Sequence, residues 1–398
     1  MKQYRQRVER FLKQHAWVIY ALLGVGIVAR FAVMLRGHNF DMDSWRIVAD
    51  ITNHHGNVYA ETYRYNYGPV WFELLHIMDR LAQLFPSPYH AFRALIVAVL
   101  TLADIGIWAL LKRRFGVVAA FLFFLNPVAI IITGYHNQFD ALAIVTALAA
   151  VLLYGETGQP IARRKWWALL LLGLSLTTKH IFFFFPVWLA LREKGWRNKA
   201  IALGVPVAIF LLAFVPFMAQ GHHGIAANVF GYASFNNAPF WYTWVPQGLQ
   251  PILSAKVLFY GSLLVGALAL RKRPLVEALL FYLIILTAFS PAIANQYLAI
   301  VCAAIAVYPN IFFAAYVLVA TFLLVVSPAG LHVDKLSALL PDTLQATLVS
   351  VRAYDLPISL LAAGLLWRFY RVRIMLACHT IWRWLKREWV SQRNLWQA

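Results

Sequence analysis

Long apolar stretches alternate with short polar segments along the 398-residue chain, and this pattern predicts an all-α membrane protein. A run of about 20 apolar residues is long enough to cross roughly 30 Å of hydrocarbon, and the pattern yields about twelve transmembrane helices. The predicted spans are residues 17–35, 89–111, 116–133, 140–154, 166–178, 180–191, 200–219, 251–270, 275–290, 295–308, 311–327 and 356–370.

The first long polar segment, residues 36–88, separates the first two spans and is predicted to be a loop on the non-cytoplasmic side. Within it, residues 43–55 and 70–84 repeat apolar positions with the period of an α-helix. Helices of this kind lie in the plane of the membrane interface. We therefore expect two interfacial helices in the first outer loop.

The rest of the chain extends the same plan. We expect residues 1–398 to form a single transmembrane domain, with further outer loops at 220–250 and 328–355. Residues 371–398 mix tryptophan with arginine and lysine. That composition is typical of an interfacial helix on the anionic inner leaflet, and we predict one there, in contact with membrane lipids.

The charge of the chain sets its predicted orientation. The net charge is +19, although only 13% of residues are charged and 62% are hydrophobic. Most Lys and Arg residues lie in the N-terminal segment, the C-terminal segment and alternate short connectors, which is the positive-inside pattern. We expect both termini in the cytoplasm. Basic residues interleaved with aromatics on one surface, which nucleic acid would require, are not evident, and no nucleic-acid partner is predicted.

Acidic residues are concentrated in the first outer loop, which holds six of the 16 in the chain. Asp41 and Asp43 follow directly on the first span. Glycosyl transfer to a hydroxyl needs a base to take the proton, and one carboxylate can do this. The second can position the acceptor, hold a metal or tune its neighbour's pKa. The alternative is a solvated loop with incidental acids.

A run of hydroxyl aromatics follows at residues 59–70, around one arginine. Tyrosine rings stack on sugars, and an arginine binds phosphate in a fork. Glu61, Arg64 and Tyr65 are therefore candidate substrate-binding residues. The alternative is an aromatic belt at the membrane interface, which explains the tyrosines well and the two charged residues less well.

Residues 135–140 place five hydrogen-bonding side chains between two spans that are almost wholly apolar. Polar groups at that depth are costly unless they line a cavity or find partners. His136, Gln138 and Asp140 are therefore candidate substrate-binding residues. A structural role is the alternative for the histidine taken alone.

Two further polar breaks interrupt apolar runs. Lys179 lies on the predicted outer side, where it could neutralise a phosphate or extend to the lipid headgroups. Gln296 and Tyr297 form the second break and are also candidate binding residues, although structural explanations fit them equally well. Arg30 and Arg36 flank the outer end of the first span, where we expect both to anchor at the interface.

The order of these motifs resembles that of the GT-C superfamily of integral-membrane glycosyltransferases. The acidic pair resembles the superfamily's loop motif, and the Tyr-Arg run resembles the segment that follows it in the first mannosyltransferase of GPI-anchor synthesis. Residues 134–140 are similar to a His-aromatic-Gln-aromatic-Asn run in the endoplasmic-reticulum glucosyltransferases, with Asn137 and Asp140 as departures. Lys179 and the Gln296-Tyr297 pair match further positions.

The resemblance implies a GT-C-like fold and an inverting transfer of a sugar on the non-cytoplasmic side. We expect a hexose, mannose or glucose, and the sequence also leaves galactose and an aminosugar open. It implies a polyprenyl-phosphate sugar donor and a glycolipid or glycan acceptor. Asp41 is then the expected base, and Asp43 orients the acceptor or supports the base. The scheme requires no cofactor, although the two carboxylates could ligate a divalent metal. Candidates for the phosphate are Arg64, His136 and Lys179, and candidates for sugar hydroxyls are Gln138 and Asp140.

Two other functions remain open from the sequence. A transporter or flippase for a lipid-linked sugar would share the amphiphilic substrate, but its polar breaks usually lie near the bilayer midplane. A membrane O-acyltransferase would use an intramembrane histidine, for which His136-Asn137 is a thin match. The basic termini and the absence of retention or transit signals predict a multi-pass protein of a prokaryotic plasma membrane, with its active site facing outward.

Overall fold

Helices account for the regular structure of the chain. In the computed structural model, which describes residues 2–232 and 240–371, no strand occurs among the described residues. The first half contains α1 (Lys2–Gln14), α2 (Ala16–Met34), α3 (Phe40–Asn53), α4 (Val58–Glu61), α5 (Pro69–Ala82), α6 (Pro88–Phe115), α7 (Val117–Phe124), α8 (Pro127–Ile131), α9 (Asp140–Tyr154) and α10 (Arg163–Thr178).

The second half continues with shorter helices. They are α11 (Phe185–Ala190), α12 (Trp196–Leu212), α13 (Met218–Gly224), α14 (Ala255–Ala269), α15 (Leu275–Phe289), α16 (Tyr297–Ile300), α17 (Cys302–Val307), α18 (Ile311–Val326), α19 (Asp334–Ser337) and α20 (Asp342–Val349). Residues 355–371 form a last described helix. The predicted C-terminal interfacial helix lies outside the described residues except for its first position.

Local sequence explains where several helices begin. Proline stands in the first turn of α5, α6, α8 and α11, where its missing N–H costs no helical hydrogen bond. Asparagine caps α3, α4, α8 and α18, and its side chain accepts a hydrogen bond from a free backbone N–H.

The described helices that are long enough to cross a membrane are fewer than the predicted spans. Three helical stretches of the described chain are long and apolar enough to span a membrane: Ala16–Met34, Pro88–Phe115 and Trp196–Phe230. Two bent pairs of helices raise this number to five if each pair is one span. Other predicted spans contain apolar helices of 10–17 residues or shorter pieces, so the predicted count of about twelve is not confirmed.

The first outer loop folds onto the helical bundle as two packed helices. The two predicted interfacial helices are present as α3 and α5, which lie against each other. Trp45 of α3 and Trp71 of α5 enclose the buried ring of Phe139, with ring centroids 5.5 Å and 4.4 Å away. This aromatic cluster anchors the loop directly beside the polar segment that precedes α9.

Arg30 is not an interface anchor, and that prediction is wrong. Its side chain is fully buried, and its Nε donates to Asp104 Oδ2 over 2.9 Å. Thr133 donates to the same oxygen, and the guanidinium also donates to the carbonyl of Phe124. The partner carboxylate is supplied by α6, far along the chain, and attraction in this poorly hydrated position holds the arginine inside. Arg36 is exposed, in keeping with its predicted position.

We expect Asp104→Leu to destabilise the protein by about 3 kcal/mol, because it leaves a buried guanidinium without its counter-ion. The double variant Arg30→Met with Asp104→Leu should recover most of that loss, since it removes both charges. Thermal unfolding in detergent would measure both values. Equal losses in the single and double variants would show that the ion pair does not matter for stability.

Candidate active site

Three segments distant in sequence meet at one polar cluster. Asp41 comes from the first turn of α3, His136 to Asp140 from the turn before α9, and Lys179 from the end of α10. Five of the predicted site residues are thereby brought together: Asp41, His136, Gln138, Asp140 and Lys179. Lys179 lies against Phe139 of the aromatic cluster, and Gln138 and Asp140 are its neighbours in sequence.

Asn39 links two members of the cluster. As the N-cap of α3, its Oδ1 accepts from the backbone N–H of Asp41 over 3.1 Å. Its Nδ2 then donates to Asp41 Oδ2 over 2.7 Å and to His136 Nδ1 over 2.8 Å. Since Nδ1 of the imidazole is the acceptor, the neutral ring carries its proton on Nε2.

A π-helical turn presents the histidine. Residues Ile132–His136 form this turn, and Asn137 ends it in the left-handed region with φ of 53°. The Asn137 amide donates to the carbonyls of Thr133 and Gly134, which makes the left-handed conformation tolerable for a residue with a side chain. Its own carbonyl accepts from the Trp45 indole. π-helical turns are frequent at functional sites because they re-aim a side chain.

Lys179 is buried within the cluster and does not extend to the headgroups. Its side chain is 3% exposed, and Nζ lies 2.8 Å from Asp140 Oδ2 and 3.0 Å from Gln138 Oε1. The rings of Tyr67 and Phe139 cover the ammonium, with centroids 5.0 Å and 4.8 Å from Nζ. The cation is therefore held by charge, amide and aromatic contacts at once.

A close approach of two backbones brings Tyr67 to the cluster. Gly68 lies against the end of α10, and a Cβ at this position would be 2.0 Å from the carbonyl oxygen of Thr177. Only glycine fits such a contact without displacing one of the two segments. The Tyr-Arg run is thus fixed beside Lys179 by packing.

Desolvation dominates the electrostatics of Asp41. It raises the pKa of the carboxyl above its ordinary value. The side chains of Asn39 and Gln138 and the positive charge of Lys179 lower this pKa, and the carboxylate of Asp140 raises it. A raised pKa makes a carboxylate a stronger base, which suits it to take a proton from a hydroxyl.

Two cavities adjoin the cluster on different sides. The first, which we name the Lys179 cavity, measures about 140 Å³ and is lined by Tyr67, Lys179, His180, Leu286, Tyr297 and Ile300, among others. The second, the His136 cavity, measures about 370 Å³ and is lined by Asn39, His136, Asn295, Gln296, Ser350 and Tyr354, among others. Gln296 and Tyr297, predicted as binding residues, thus line different cavities.

Four predicted site residues lie apart from this cluster. Asp43 lines a surface pocket with Arg46, Asp50 and Asp79. Its separation from Asp41 has a simple cause, because residues two apart on a helix project to nearly opposite sides. The two carboxylates are therefore not presented together as a metal-binding pair. In the described part of the chain, no group of three or more His, Cys, Asp or Glu residues could hold a metal ion.

The other three make local contacts. Glu61 accepts from the backbone N–H of Asn57, the residue that caps α4, over 2.8 Å. Tyr65 is buried, and its hydroxyl donates to the carbonyl of Gly68 over 2.6 Å. The Arg64 guanidinium stacks on the ring of Phe40, 3.7 Å from its centroid. Their assignment to substrate binding stays a prediction.

Sequence reasoning missed Asn39, Tyr67 and the residues of α20 and its neighbourhood that line the His136 cavity. Asparagine just before a helix is a capping signal, and it would have pointed to Asn39 once α3 was extended to Phe40. The cavity wall at residues 348–354 had no such signal, because it joins the site only through long-range packing.

Comparisons with known proteins agree with this architecture. The sequence profile of glycosyltransferase family 87 matches residues 65–328, more than half of the chain. Among solved structures, ArnT from Cupriavidus metallidurans bound to undecaprenyl phosphate is similar, with 17% identity and a TM-score of 0.50 over 88% of this chain and 77% of that one. The apo state of the same protein gives 17% identity and a TM-score of 0.48 over 88% and 78%.

No curated protein matches the chain significantly. The family profile and the fold likeness confirm the predicted all-α, GT-C-like fold and the resemblance to integral-membrane glycosyltransferases. They leave the number of spans, the sugar and the acceptor as predictions.

Proposed function

The chain belongs to glycosyltransferase family 87, and from this premise we propose that it is an inverting, polyprenyl-phosphate-dependent hexosyltransferase. Its acceptor in this proposal is a lipid-linked or envelope glycan on the non-cytoplasmic face of a prokaryotic plasma membrane. The observation that carries the proposal is the juxtaposition of a desolvated carboxylate, Asp41, with a buried ammonium, Lys179, in a cluster whose other members line two cavities.

The Lys179 cavity suits the donor. Its wall combines one cation with aliphatic and aromatic side chains, and its volume of about 140 Å³ suits the donor's phosphate group, with the rest of the lipid lying outside it. A similar fold has been described with undecaprenyl phosphate bound, in ArnT from Cupriavidus metallidurans. Lys179 would then offset the phosphate charge that grows as the sugar leaves.

The transfer itself needs three events. The acceptor oxygen forms a bond to the anomeric carbon from the side opposite the phosphate, and the carbon–oxygen bond to the phosphate breaks with its electron pair. The acceptor's proton passes to the carboxylate of Asp41, and polyprenyl phosphate leaves. Because the attack comes from the side opposite the phosphate, the anomeric configuration is inverted. The protein's contribution is to align the hydroxyl, hold the base and stabilise the phosphate.

Orientation follows from charge in this proposal. Basic connectors are retained in the cytoplasm, and the segment 36–88 then lies outside with the carboxylate it carries. A donor on a lipid carrier suits that side, because soluble nucleotide sugars are cytoplasmic metabolites whereas a lipid-linked donor reaches the outer leaflet.

The purified protein should release polyprenyl phosphate from polyprenyl-phosphate mannose or glucose when a glycoside acceptor is added. Mass spectrometry of the lipid fraction measures both the released carrier and the glycosylated product. In proteoliposomes, movement of intact donor across the bilayer without any released carrier would identify a transporter and refute the proposal.

The pH dependence offers a prediction about the base. Only the carboxylate form of Asp41 accepts a proton, so kcat/KM should fall tenfold per pH unit below its raised pKa and level off above it. Asn39 lowers this pKa by its hydrogen bond, so Asn39→Ala should move the midpoint of the acid limb to higher pH. The measurement is kcat/KM against pH for both proteins, and an unmoved midpoint would contradict this role of Asn39.

A further inference from the structure

The His136 cavity is built from parts of the chain that the proposed function has not yet used. One side is formed by Asn39 and His136, which belong to the cluster around Asp41. The other side is formed by residues 293–296 and 327–329, and by residues 348–350 together with Tyr354. The last of these segments lies beyond the region that the family profile matches, so it is a feature of this chain that the family match does not account for.

An unused hydrogen-bond donor points to a ligand. His136 is 1% exposed and its ring forms part of the cavity lining, and its Nε2, which is itself buried, has no hydrogen-bond partner within the described part of the chain. Because Nδ1 accepts from Asn39, the Nε2 of the neutral ring carries a proton that it can donate. A buried donor without a partner costs free energy, and a ligand hydroxyl recovers it once the ring turns Nε2 toward the cavity.

The opposite wall is held in place by its own hydrogen bonds. Tyr354 donates to Asn295 Oδ1 over 2.7 Å, and Asn295 Nδ2 donates to the carbonyl of Ala329 over 2.9 Å. These bonds connect three otherwise separate segments into one wall. Gln296 projects from this wall as a further amide lining the cavity.

The chemistry of the lining selects the class of ligand. The polar side chains of the His136 cavity are amides, hydroxyls and a histidine, with no acidic or basic group that stays charged. The Lys179 cavity, by contrast, contains a cation. A phosphate therefore favours the Lys179 cavity, whereas an uncharged polyhydroxyl compound fits the other, whose volume of about 370 Å³ is typical of small-molecule sites.

We propose that the His136 cavity binds the sugar of the acceptor, with the His136 ring turning Nε2 to donate to one of its hydroxyls, and with residues 348–350 and Tyr354 determining which glycan is accepted. The proposal rests on the proposed function, because it assigns the acceptor to one of the two cavities that adjoin the cluster around Asp41. Asn39 then joins the acceptor site to Asp41, since it forms part of the cavity wall and donates to the carboxylate.

Photolabelling tests the site without depending on turnover. Octyl mannoside and octyl glucoside carrying a diazirine on the sugar would be photolysed with the full-length protein in detergent, and the labelled peptides mapped by mass spectrometry. We expect labels within 293–296 and 348–354, displaced by excess octyl glycoside and not by polyprenyl phosphate. Labels confined to the Lys179 cavity, or no displaceable label in the His136 cavity, would overturn the proposal.

A matched pair of variants sharpens the test. Ser350 is exposed at the cavity wall, so Ser350→Trp should fill the cavity without disturbing the fold and lower the displaceable labelling at least tenfold. Thr343→Trp makes a comparable change on α20 at an exposed position outside the cavity, and should leave labelling within twofold. Equal labelling in the two variants would also overturn the proposal.

The same variants separate this proposal from the proposed function. If the wild-type protein labels as expected yet releases no polyprenyl phosphate, the assignment as a transferase fails while the sugar site stands. If it transfers normally and Ser350→Trp transfers with an unchanged KM for the acceptor, the assignment of the cavity fails while the transferase stands. Binding of radiolabelled polyprenyl-phosphate mannose should be unaffected by Ser350→Trp.

Discussion

Asp41→Asn should lower kcat for glycosyl transfer by about 10²–10⁴-fold, the range that a positioned general base contributes. The amide keeps the size of the carboxyl and can still contact Asn39, but it cannot take the proton of the attacking hydroxyl. Donor affinity should change little, since Lys179 and the Lys179 cavity are intact. Initial rates of carrier release, together with equilibrium binding of labelled donor, would measure both quantities.

Asp43→Asn is the matched control, because it makes the same chemical change two residues away. Asp43 lines a separate surface pocket, so we expect this variant to keep its rate within about twofold if proton transfer rests on Asp41 alone. A comparable loss in both variants would instead support the predicted helper role of Asp43. Wild-type rates in both variants would show that neither carboxylate takes part in the reaction.

Lys179→Gln should have the second large effect, on stability as well as on binding. It leaves the carboxylate of Asp140, which is 4% exposed, without its cation, and breaking one side of a buried pair typically costs about 3–5 kcal/mol. Thermal unfolding in detergent would register this loss. Donor affinity should fall too, because the cation proposed for the phosphate is gone.

A double variant separates the two effects of Lys179. Lys179→Gln with Asp140→Asn removes both charges and keeps amides that can bond to each other, so stability should return close to that of the wild type. Donor affinity should stay low. If the double variant instead bound donor like the wild type, Lys179 would be a purely structural residue and the phosphate site would lie elsewhere.

The sequence predicts most of the helices because membrane spans and interfacial helices follow from the spacing of apolar residues. The sequence predicts less well whether a single side chain is buried inside the protein or exposed. Arg30 looked like an anchor because its partner, Asp104, is far along the chain and nothing local indicates the pairing. Some predicted spans, such as 116–133, are not single straight helices, since helices broken by proline and by π-helical turns keep the composition of continuous ones.

Within the candidate site, local motifs predicted the residues that meet in the cluster. Which of the other predicted residues lie apart from it depends on tertiary packing. The sequence indicated four of them, His136, Gln138, Asp140 and Lys179. Polar side chains in apolar surroundings cost free energy unless they have partners or line a cavity. Asp43 could have been separated from Asp41 by helical geometry alone, once α3 was recognised to begin at Phe40. Tyr65 and Glu61 have local structural contacts that composition does not reveal.

The π-helical turn before α9 has a consequence for how the chain tolerates changes in length. A π-helical turn holds one residue more than an α-helical turn, so deleting a residue from Ile132–His136 would favour an α-helical turn in its place. The end of the turn would then be rotated by about 100° relative to α8, with which the turn is continuous, as one residue of a 3.6-residue turn requires. We expect such a deletion to separate His136 from Asn39, and a substitution at Gly134 to disturb the turn as well, because a Cβ there would be 2.4 Å from the carbonyl oxygen of Arg30.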